Sequence, residues 1–116
     1  MRPRIVALVP DLLAGSRIEE AARRLGTETT TASSEPEAIN LLNDGARLLI
    51  VDLSERGLDL GALAQAARTS GTAIIAFGPH VDTARSREAL AAGIERVYAR
   101  SRFLRETQAV LAKHLS

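Results

Sequence analysis

A run of four apolar residues that ends at a carboxylate, Leu-Leu-Ile-Val-Asp at positions 48–52, constrains the fold of this chain more than any other stretch. A run this short, with no polar alternation, is typical of a central parallel strand that is buried on both faces. Asp52 would then stand at the carboxyl end of that strand, the edge of an open α/β sheet where ligands usually bind. The competing interpretation is that Asp52 only caps the turn that follows. The order of the surrounding segments favours the functional interpretation.

Strand and helix signals alternate along the chain about five times. Apolar or threonine-rich runs predict strands at residues 5–9, 28–32, 48–52, 73–77 and 96–99. The intervening segments have Leu and Ala at helical spacing, and the last of the predicted helices covers residues 103–115. Helix starts are indicated by the capping-box spacing of Ser34 and Glu37, by Asp59 before the third helix and by Asp82 before the fourth.

Such alternation with short connections implies a parallel sheet with right-handed crossovers and helices on both faces. Five strands in 116 residues indicate an α/β, flavodoxin-like, doubly wound fold with strand order 2-1-3-4-5, five helices and a single domain over residues 1–116. In this order the loops after the first, third and fourth strands lie side by side. We therefore expect any site to involve Asp11, Asp52, the region of Gly78 and residues that follow the fifth strand.

Composition excludes several classes of protein. The chain has no cysteine, so it can hold neither a disulfide nor a thiolate metal site. Its net charge of +1 provides no strong electrostatic case for binding nucleic acid or a membrane surface. The arginines of the carboxyl third are interleaved with acids, which favours ion pairing over a phosphate-binding surface. The longest apolar runs have the length of strands, so we expect no membrane span and a cytoplasmic protein.

Three features together make the chain resemble the receiver domain of bacterial two-component response regulators over essentially its whole length. They are Asp52 at the end of the third strand, Asp59 seven residues later, and Ala92-Gly93 ahead of the fifth strand. The resemblance implies a carboxylate at the position of Asp52 that accepts a phosphoryl group, and an acidic pair after the first strand that holds Mg²⁺. It also implies a Thr or Ser at the end of the fourth strand and a Lys after the fifth. Cations are needed there because they neutralise the negative charge on the oxygens of the incoming phosphoryl group. Mg²⁺ prefers hard oxygen ligands such as carboxylates.

The sequence departs from that pattern at three positions. Asp11 is the one carboxylate left after the first strand, so Asp11 and Asp52 are the only candidate ligands for Mg²⁺. Phe77 stands where the fourth strand should end in a hydroxyl. Arg100 takes the position of the lysine, and its planar fork replaces a compact point charge. Arg100 is also able to pair permanently with Asp52.

These departures favour an atypical or pseudo-receiver that acts as a protein-interaction module, is not an enzyme and needs no cofactor. The first alternative is a conventional phosphoacceptor receiver that uses Asp52 and Mg²⁺. The second is a small ligand-binding or enzymatic flavodoxin-like domain that uses the edge with Asp11 and Asp52, although no nucleophile, base or cofactor cradle is recognisable. His80 would ligate a metal with Asp82 only if a third ligand joined them. His114 lies near a helix C-terminus, where a positive imidazole is stabilised.

The predicted interaction surface lies on the fourth helix, fifth strand and fifth helix, and it would bind a partner protein or a second copy. Interleaved charges of opposite sign are self-complementary across a two-fold axis. The residues assigned to this surface are Arg85, Arg87, Glu88, Glu95, Arg96, Tyr98 and Arg102. Tyr98 is the expected apolar anchor. The alternative is a surface on which the charges form intramolecular ion pairs, each of which contributes little.

Overall fold

Five parallel strands form the centre of the structure, a computed structural model that describes residues 4–81 and 83–116. The strands are β1 (Arg4–Leu8), β2 (Glu28–Thr31), β3 (Leu48–Asp52), β4 (Ala73–Gly78) and β5 (Arg96–Ala99). Their order is β2-β1-β3-β4-β5, and each neighbouring pair is parallel. The predicted flavodoxin-like sheet is therefore confirmed.

Six helices cover the two faces of the sheet in the described part of the chain. They are α1 (Leu12–Arg24), α2 (Glu35–Asn43), α3 (Leu60–Ser70), α4 (Ala84–Ala92), α5 (Arg100–Arg105) and α6 (Thr107–Leu115). One helix was predicted over residues 103–115, but the structure has two that meet at Glu106 (φ −117°, ψ 30°). The Thr107 hydroxyl donates to the Phe103 carbonyl at 2.6 Å, a local bond that competes with the regular helical pattern at this junction. No helix in the described ranges is long and apolar enough to cross a bilayer.

The three central strands, β1, β3 and β4, bury side chains on both faces, which divides the core into two layers. Residues Leu48–Asp52 of β3 are all buried, as the unbroken apolar run predicts. Ile50 and its neighbours on one face pack against α1 and α6, in a cluster that includes Phe77 and Phe103. Leu49 and Val51 on the other face pack with residues of α2, α3 and α4. Any site is therefore confined to the ends of the strands.

Polar caps begin the helices close to the predicted positions. Ser34 accepts from the N–H of Glu37 at 3.3 Å, and Asp59 accepts from the N–H of Ala62 at 3.0 Å. The predicted opening residue of α4, Asp82, lies outside the described residues. The side chain that caps α4 is Thr83, which accepts from the N–H of Ser86 at 3.0 Å. These caps fix where the loops at the carboxyl edge of the sheet end.

Candidate functional site at the carboxyl edge of the sheet

The candidate site residues come together because three neighbouring strands end at the same edge. β1 and β3 are adjacent, with Leu8 beside Val51. Asp11, which lies in the loop after β1, and Asp52, the last residue of β3, are therefore at the same edge of the sheet. β4 lies on the other side of β3, with Phe77 beside Asp52. The structure thus places Asp11, Asp52 and Phe77 on the loops and strand ends where the sequence predicted them.

Asp52 is buried, with 2% of its surface exposed, and is held by the residue two positions later. Its Oδ1 accepts the N–H of Ser54 at 2.9 Å and the Ser54 hydroxyl at 2.6 Å. This is the local turn geometry that an Asp at the end of a strand commonly adopts. The capping interpretation of Asp52 therefore describes what its carboxylate does in this structure.

Asp11 is engaged at both carboxylate oxygens. Its Oδ1 caps α1 by accepting the N–H groups of Leu13 at 2.8 Å and Ala14 at 3.1 Å. Its Oδ2 accepts a hydrogen bond from Nη2 of Arg100, the first residue of α5. The Ala14 N–H and then the Arg100 guanidinium lower the pKa of Asp11 below its ordinary value, against partial burial, which raises it.

Arg100 does not make the pairing with Asp52 that the sequence left open. Arg100 pairs with Asp11 instead, and its guanidinium also lies over the Phe77 ring, 6.0 Å from the ring centroid. Asp11 is accessible on its loop, whereas Asp52 is buried beneath Ser54. The positive charge that follows β5 is consequently directed to the acid after β1.

Phe77 belongs to the core and not to the rim of the site. Its side chain is fully buried, and its ring stacks on Phe103 of α5 with centroids 4.5 Å apart and an interplanar angle of 11°. Gly78 follows as the last residue of β4, where a Cβ atom would lie 3.3 Å from the Cβ of Leu53. The end of β4 therefore presents a buried ring and a closely packed backbone, and no side-chain hydroxyl.

Asp11 and Asp52 fit a Mg²⁺ ion poorly as they are arranged. Mg²⁺ takes oxygen ligands in near-octahedral geometry. Asp11 already accepts three hydrogen bonds, which leaves about one of the four lone-pair sites of its carboxylate. The Arg100 guanidinium brings a positive charge to the same carboxylate. Within residues 4–81 and 83–116, no three His, Cys, Asp or Glu side chains form a group able to hold a metal ion.

Most charged residues of the predicted interaction surface make contacts within the chain. Arg85 of α4 pairs with Glu88 at 2.9 Å, and Glu95 lies 3.4 Å from His114. Arg102 lies 3.6 Å from Glu106, and Arg96 lies over the Tyr98 ring at 4.8 Å. Arg87 is exposed on α4. The pairs Arg85–Glu88 and Arg102–Glu106 agree with the alternative of intramolecular ion pairs, whereas Glu95 and Arg96 contact ring side chains.

The expectation that Tyr98 anchors an exposed surface is wrong, because only 3% of the residue is exposed. Tyr98 lies beside Phe77 in the β4–β5 register and points into the same core layer, 6.4 Å from the Phe103 ring centroid. Its hydroxyl lies 2.7 Å from Nε2 of His114. Strand alternation places Tyr98 in the core and turns Val97 toward the opposite layer.

His114 is neither exposed nor positively charged at neutral pH. Its side chain is 3% exposed, and burial lowers its pKa below the ordinary value of 6.5, although the nearby Glu95 carboxylate acts in the opposite direction. The Glu95 carboxylate beside Nδ1 favours the tautomer with its proton on that nitrogen, and in this tautomer Nε2 accepts a hydrogen bond from the Tyr98 hydroxyl. The predicted stabilisation of a cation at this helix end is therefore replaced by a buried neutral ring. His80 is exposed in the loop after β4.

The sequence analysis named neither the helix cap made by Asp11 nor Ser54 as the partner of Asp52, although each has a local signal. Asp11 directly precedes the first helix, which is the N-cap position that Asp favours. Ser54 stands two residues after Asp52, the spacing of a turn closed by an aspartate side chain. The exposed Leu90 of α4 was missed as well, because helical periodicity does not distinguish it from inward-facing apolar residues.

We expect Asp11 to act as a helix cap first and as an ion-pair partner second. Asp11→Ala should lower the urea midpoint near neutral pH more than Asp11→Asn, since asparagine keeps the cap but loses the charge that pairs with Arg100. The folded pKa of Asp11 is depressed, so its ionic contribution is present above its ordinary value of 3.8 and is lost as pH falls further. Equal losses in the two variants would contradict a capping role.

Comparison with known proteins gives matches at the level of structure alone. No protein-family model matches the chain, and no curated protein sequence matches it significantly. A response regulator from Thermotoga maritima superposes with a TM-score of 0.81 over 99% of this chain and 98% of its own, at 19% identity. An orphan response regulator of H. pylori has a TM-score of 0.81 over 98% and 97%, at 14% identity.

An atypical orphan response regulator, described as having a phosphorylation-independent regulatory mechanism, is also similar. Its TM-score is 0.78 over 97% of this chain and 94% of its own, at 15% identity. The chain therefore has the fold of response regulator receiver domains, and identities this low establish the fold and nothing finer.

Proposed function

We propose that this protein is an atypical receiver domain, a non-enzymatic signalling module of the cytoplasm that acts through protein contacts without phosphorylation of Asp52. The observation that carries the proposal is the state of Asp11. It is the acid that follows β1, and it is engaged at one oxygen as a helix cap and at the other by Arg100. An acid held in this way is a poor ligand for the cation that phosphoryl transfer to Asp52 would need.

The surroundings of Asp52 support the same proposal. A carboxylate attacks phosphorus slowly unless positive charge neutralises the incoming oxygens. Arg100, which takes the place of the lysine of conventional receivers, directs its guanidinium to Asp11. Phe77 offers no hydroxyl to a group on Asp52 and is locked against Phe103. The arrangement therefore supplies neither the charges nor the responding side chain of a conventional receiver.

We expect no phosphoryl adduct on Asp52 when the protein is incubated with acetyl phosphate and Mg²⁺ and examined by intact-mass spectrometry. Fewer than about a tenth of the protein molecules should gain the mass of a phosphoryl group. An activation barrier for phosphoryl transfer that is only about 1.4 kcal/mol higher already slows the transfer tenfold. Asp52→Asn is the matched control for modification elsewhere. A Mg²⁺-dependent adduct that the wild type forms and Asp52→Asn lacks would establish the conventional receiver instead.

The working surface of the proposed module comprises α4, β5 and α5, with Leu90 in place of Tyr98 as the apolar anchor. Leu90 is 50% exposed on α4, so its burial against another chain would remove apolar area from water. Arg85 and Glu88 lie on the same helix and supply charges of both signs. Charges of both signs around an apolar residue suit contact with a second copy or with a partner of similar surface.

Contact with a second copy is the direct test of this surface. Multi-angle light scattering at increasing protein concentration should show dimer formation by the wild type. Leu90→Glu should raise the dissociation constant of the dimer at least about tenfold, because the substitution removes apolar burial and introduces a charge. Leu12→Glu, at an 88% exposed leucine of α1, is the matched control and should leave the dimer intact. Dimers that are lost in Leu12→Glu and kept in Leu90→Glu would place the surface on α1.

A further inference from the structure

A cavity of about 510 Å³ lies next to Asp52, between the loop after β3 and the loop after β4. Leu53, Ser54 and Arg56 line it on one side, and Gly78 and Pro79 line it on the other. It does not include the Asp11–Arg100 pair, and it meets the proposed contact surface only at the start of α4, where Arg85 and Ser86 also line it. Its volume is in the range of sites that bind small organic molecules, about 300–1,000 Å³.

Specific contacts hold the two walls of the cavity in place. Arg85 of α4 donates to the carbonyl of Leu58 at 3.0 Å, which ties α4 to the loop after β3. Ser86 is buried and donates its hydroxyl to the carbonyl of His80 at 3.2 Å. Bonds that join each loop to the start of the same helix preserve the space between them, so the cavity is preformed in the folded chain.

The chemistry of the lining defines the kind of molecule that fits. Leu53, Gly78 and Pro79 give the cavity apolar surface suited to a flat hydrocarbon or aromatic body. Arg56 is exposed at the rim, and its guanidinium has no hydrogen-bond or ion-pair partner in the described ranges. Glu55 lines the same wall, and its carboxylate would repel a second negative charge on the ligand. A ligand with one anionic group, placed at Arg56, matches this distribution.

We propose that the cavity binds a small aromatic molecule that carries a single anionic group, which Arg56 receives at the rim. The occupant would contact Ser54, and Ser54 donates two hydrogen bonds to Asp52. A ligand at this place therefore acts directly on the turn that holds Asp52. The inference goes beyond the proposed function and does not depend on whether Asp52 accepts a phosphoryl group.

Titration with anilinonaphthalene sulfonate, an aromatic monoanion, tests the proposal. Proton–nitrogen correlation spectra of the labelled protein should show saturable shifts of the amides of Ser54, Arg56, Gly78 and Thr83, which line the cavity. The amides of Thr29 and Thr30, beside a second groove, should not move. The absence of saturable binding, or shifts centred away from the cavity, would overturn the proposal.

Arg56→Ala tests whether Arg56 binds the anionic group of the ligand. The variant should bind the sulfonate about two- to fivefold more weakly, as expected for an exposed ion pair. Its binding of uncharged phenylnaphthylamine should not change. Arg23→Ala is the matched control, since Arg23 is also exposed and has no side-chain partner in the described ranges, but lines the other groove. If Arg56→Ala binds the sulfonate as the wild type does, or if Arg23→Ala weakens binding equally, Arg56 does not receive the anion.

Discussion

Replacing Phe77 by threonine should destabilise the protein by about 3–5 kcal/mol, the cost typical of removing a large aromatic side chain from a core. The substitution introduces the hydroxyl that conventional receivers have at this position. Here it would leave the space of a fully buried ring that stacks on Phe103 at 4.5 Å. A loss of this size is a large share of the 5–15 kcal/mol that stabilise an ordinary domain. Urea denaturation of both proteins near neutral pH measures it.

Phe77→Leu is the matched control, because leucine fills much of the space and adds no polar group. It should cost clearly less than Phe77→Thr, and a double-mutant cycle with Phe103→Leu should give a coupling of about 0.5–1.5 kcal/mol for the stacked rings. A threonine variant as stable as the wild type would show that the end of β4 accommodates a hydroxyl without loss. Phe77 would then not explain a missing response to phosphorylation.

Tyr98→Phe should destabilise the protein by about 1–3 kcal/mol, although it removes only one oxygen atom. The hydroxyl of Tyr98 lies 2.7 Å from Nε2 of His114, and the His114 side chain is 3% exposed. Removal of the hydroxyl leaves a buried ring nitrogen without a partner, and an unsatisfied buried polar atom costs about this much. Thermal or urea unfolding at neutral pH provides the measurement. A neutral result would mean that water reaches His114.

The same histidine should make stability depend on pH in a defined direction. Burial depresses the folded pKa of His114 below the ordinary value of 6.5, so the unfolded chain binds more protons in this range. Stability is therefore fully present above 6.5 and is lost as pH falls toward the folded pKa. The groups that face His114 and set this balance are Glu95, Arg96, Tyr98 and Lys113.

His114→Asn should reduce the difference between the urea midpoints at neutral and mildly acidic pH. His80→Asn is the matched control, because His80 is exposed in its loop and should leave that difference unchanged. If His114→Asn retains the full pH dependence of the wild type, another group must titrate in this range.

The sheet could be predicted because short sequence patterns specify its strands and the helices between them. The apolar run that ends at Asp52 specifies a strand buried on both faces, and alternation with helices restricts the topology to very few choices. The arrival of Asp11, Asp52 and Phe77 at one edge then follows from strand order alone. The division of the last helix at Glu106 did not follow, since it depends on dihedral angles and on a hydroxyl contact that helical periodicity does not reveal.

The sequence by itself determined which chemical groups reach the edge of the sheet. It also showed that Phe77 and Arg100 stand where a conventional receiver has a hydroxyl and a lysine. Only the tertiary structure decided the partners of those groups. Arg100 pairs with Asp11 and not with Asp52, and Tyr98 is turned into the core toward His114. The physical reason is that partners so far apart in the chain meet through the packing of α5 and α6 on the sheet, which no local pattern encodes.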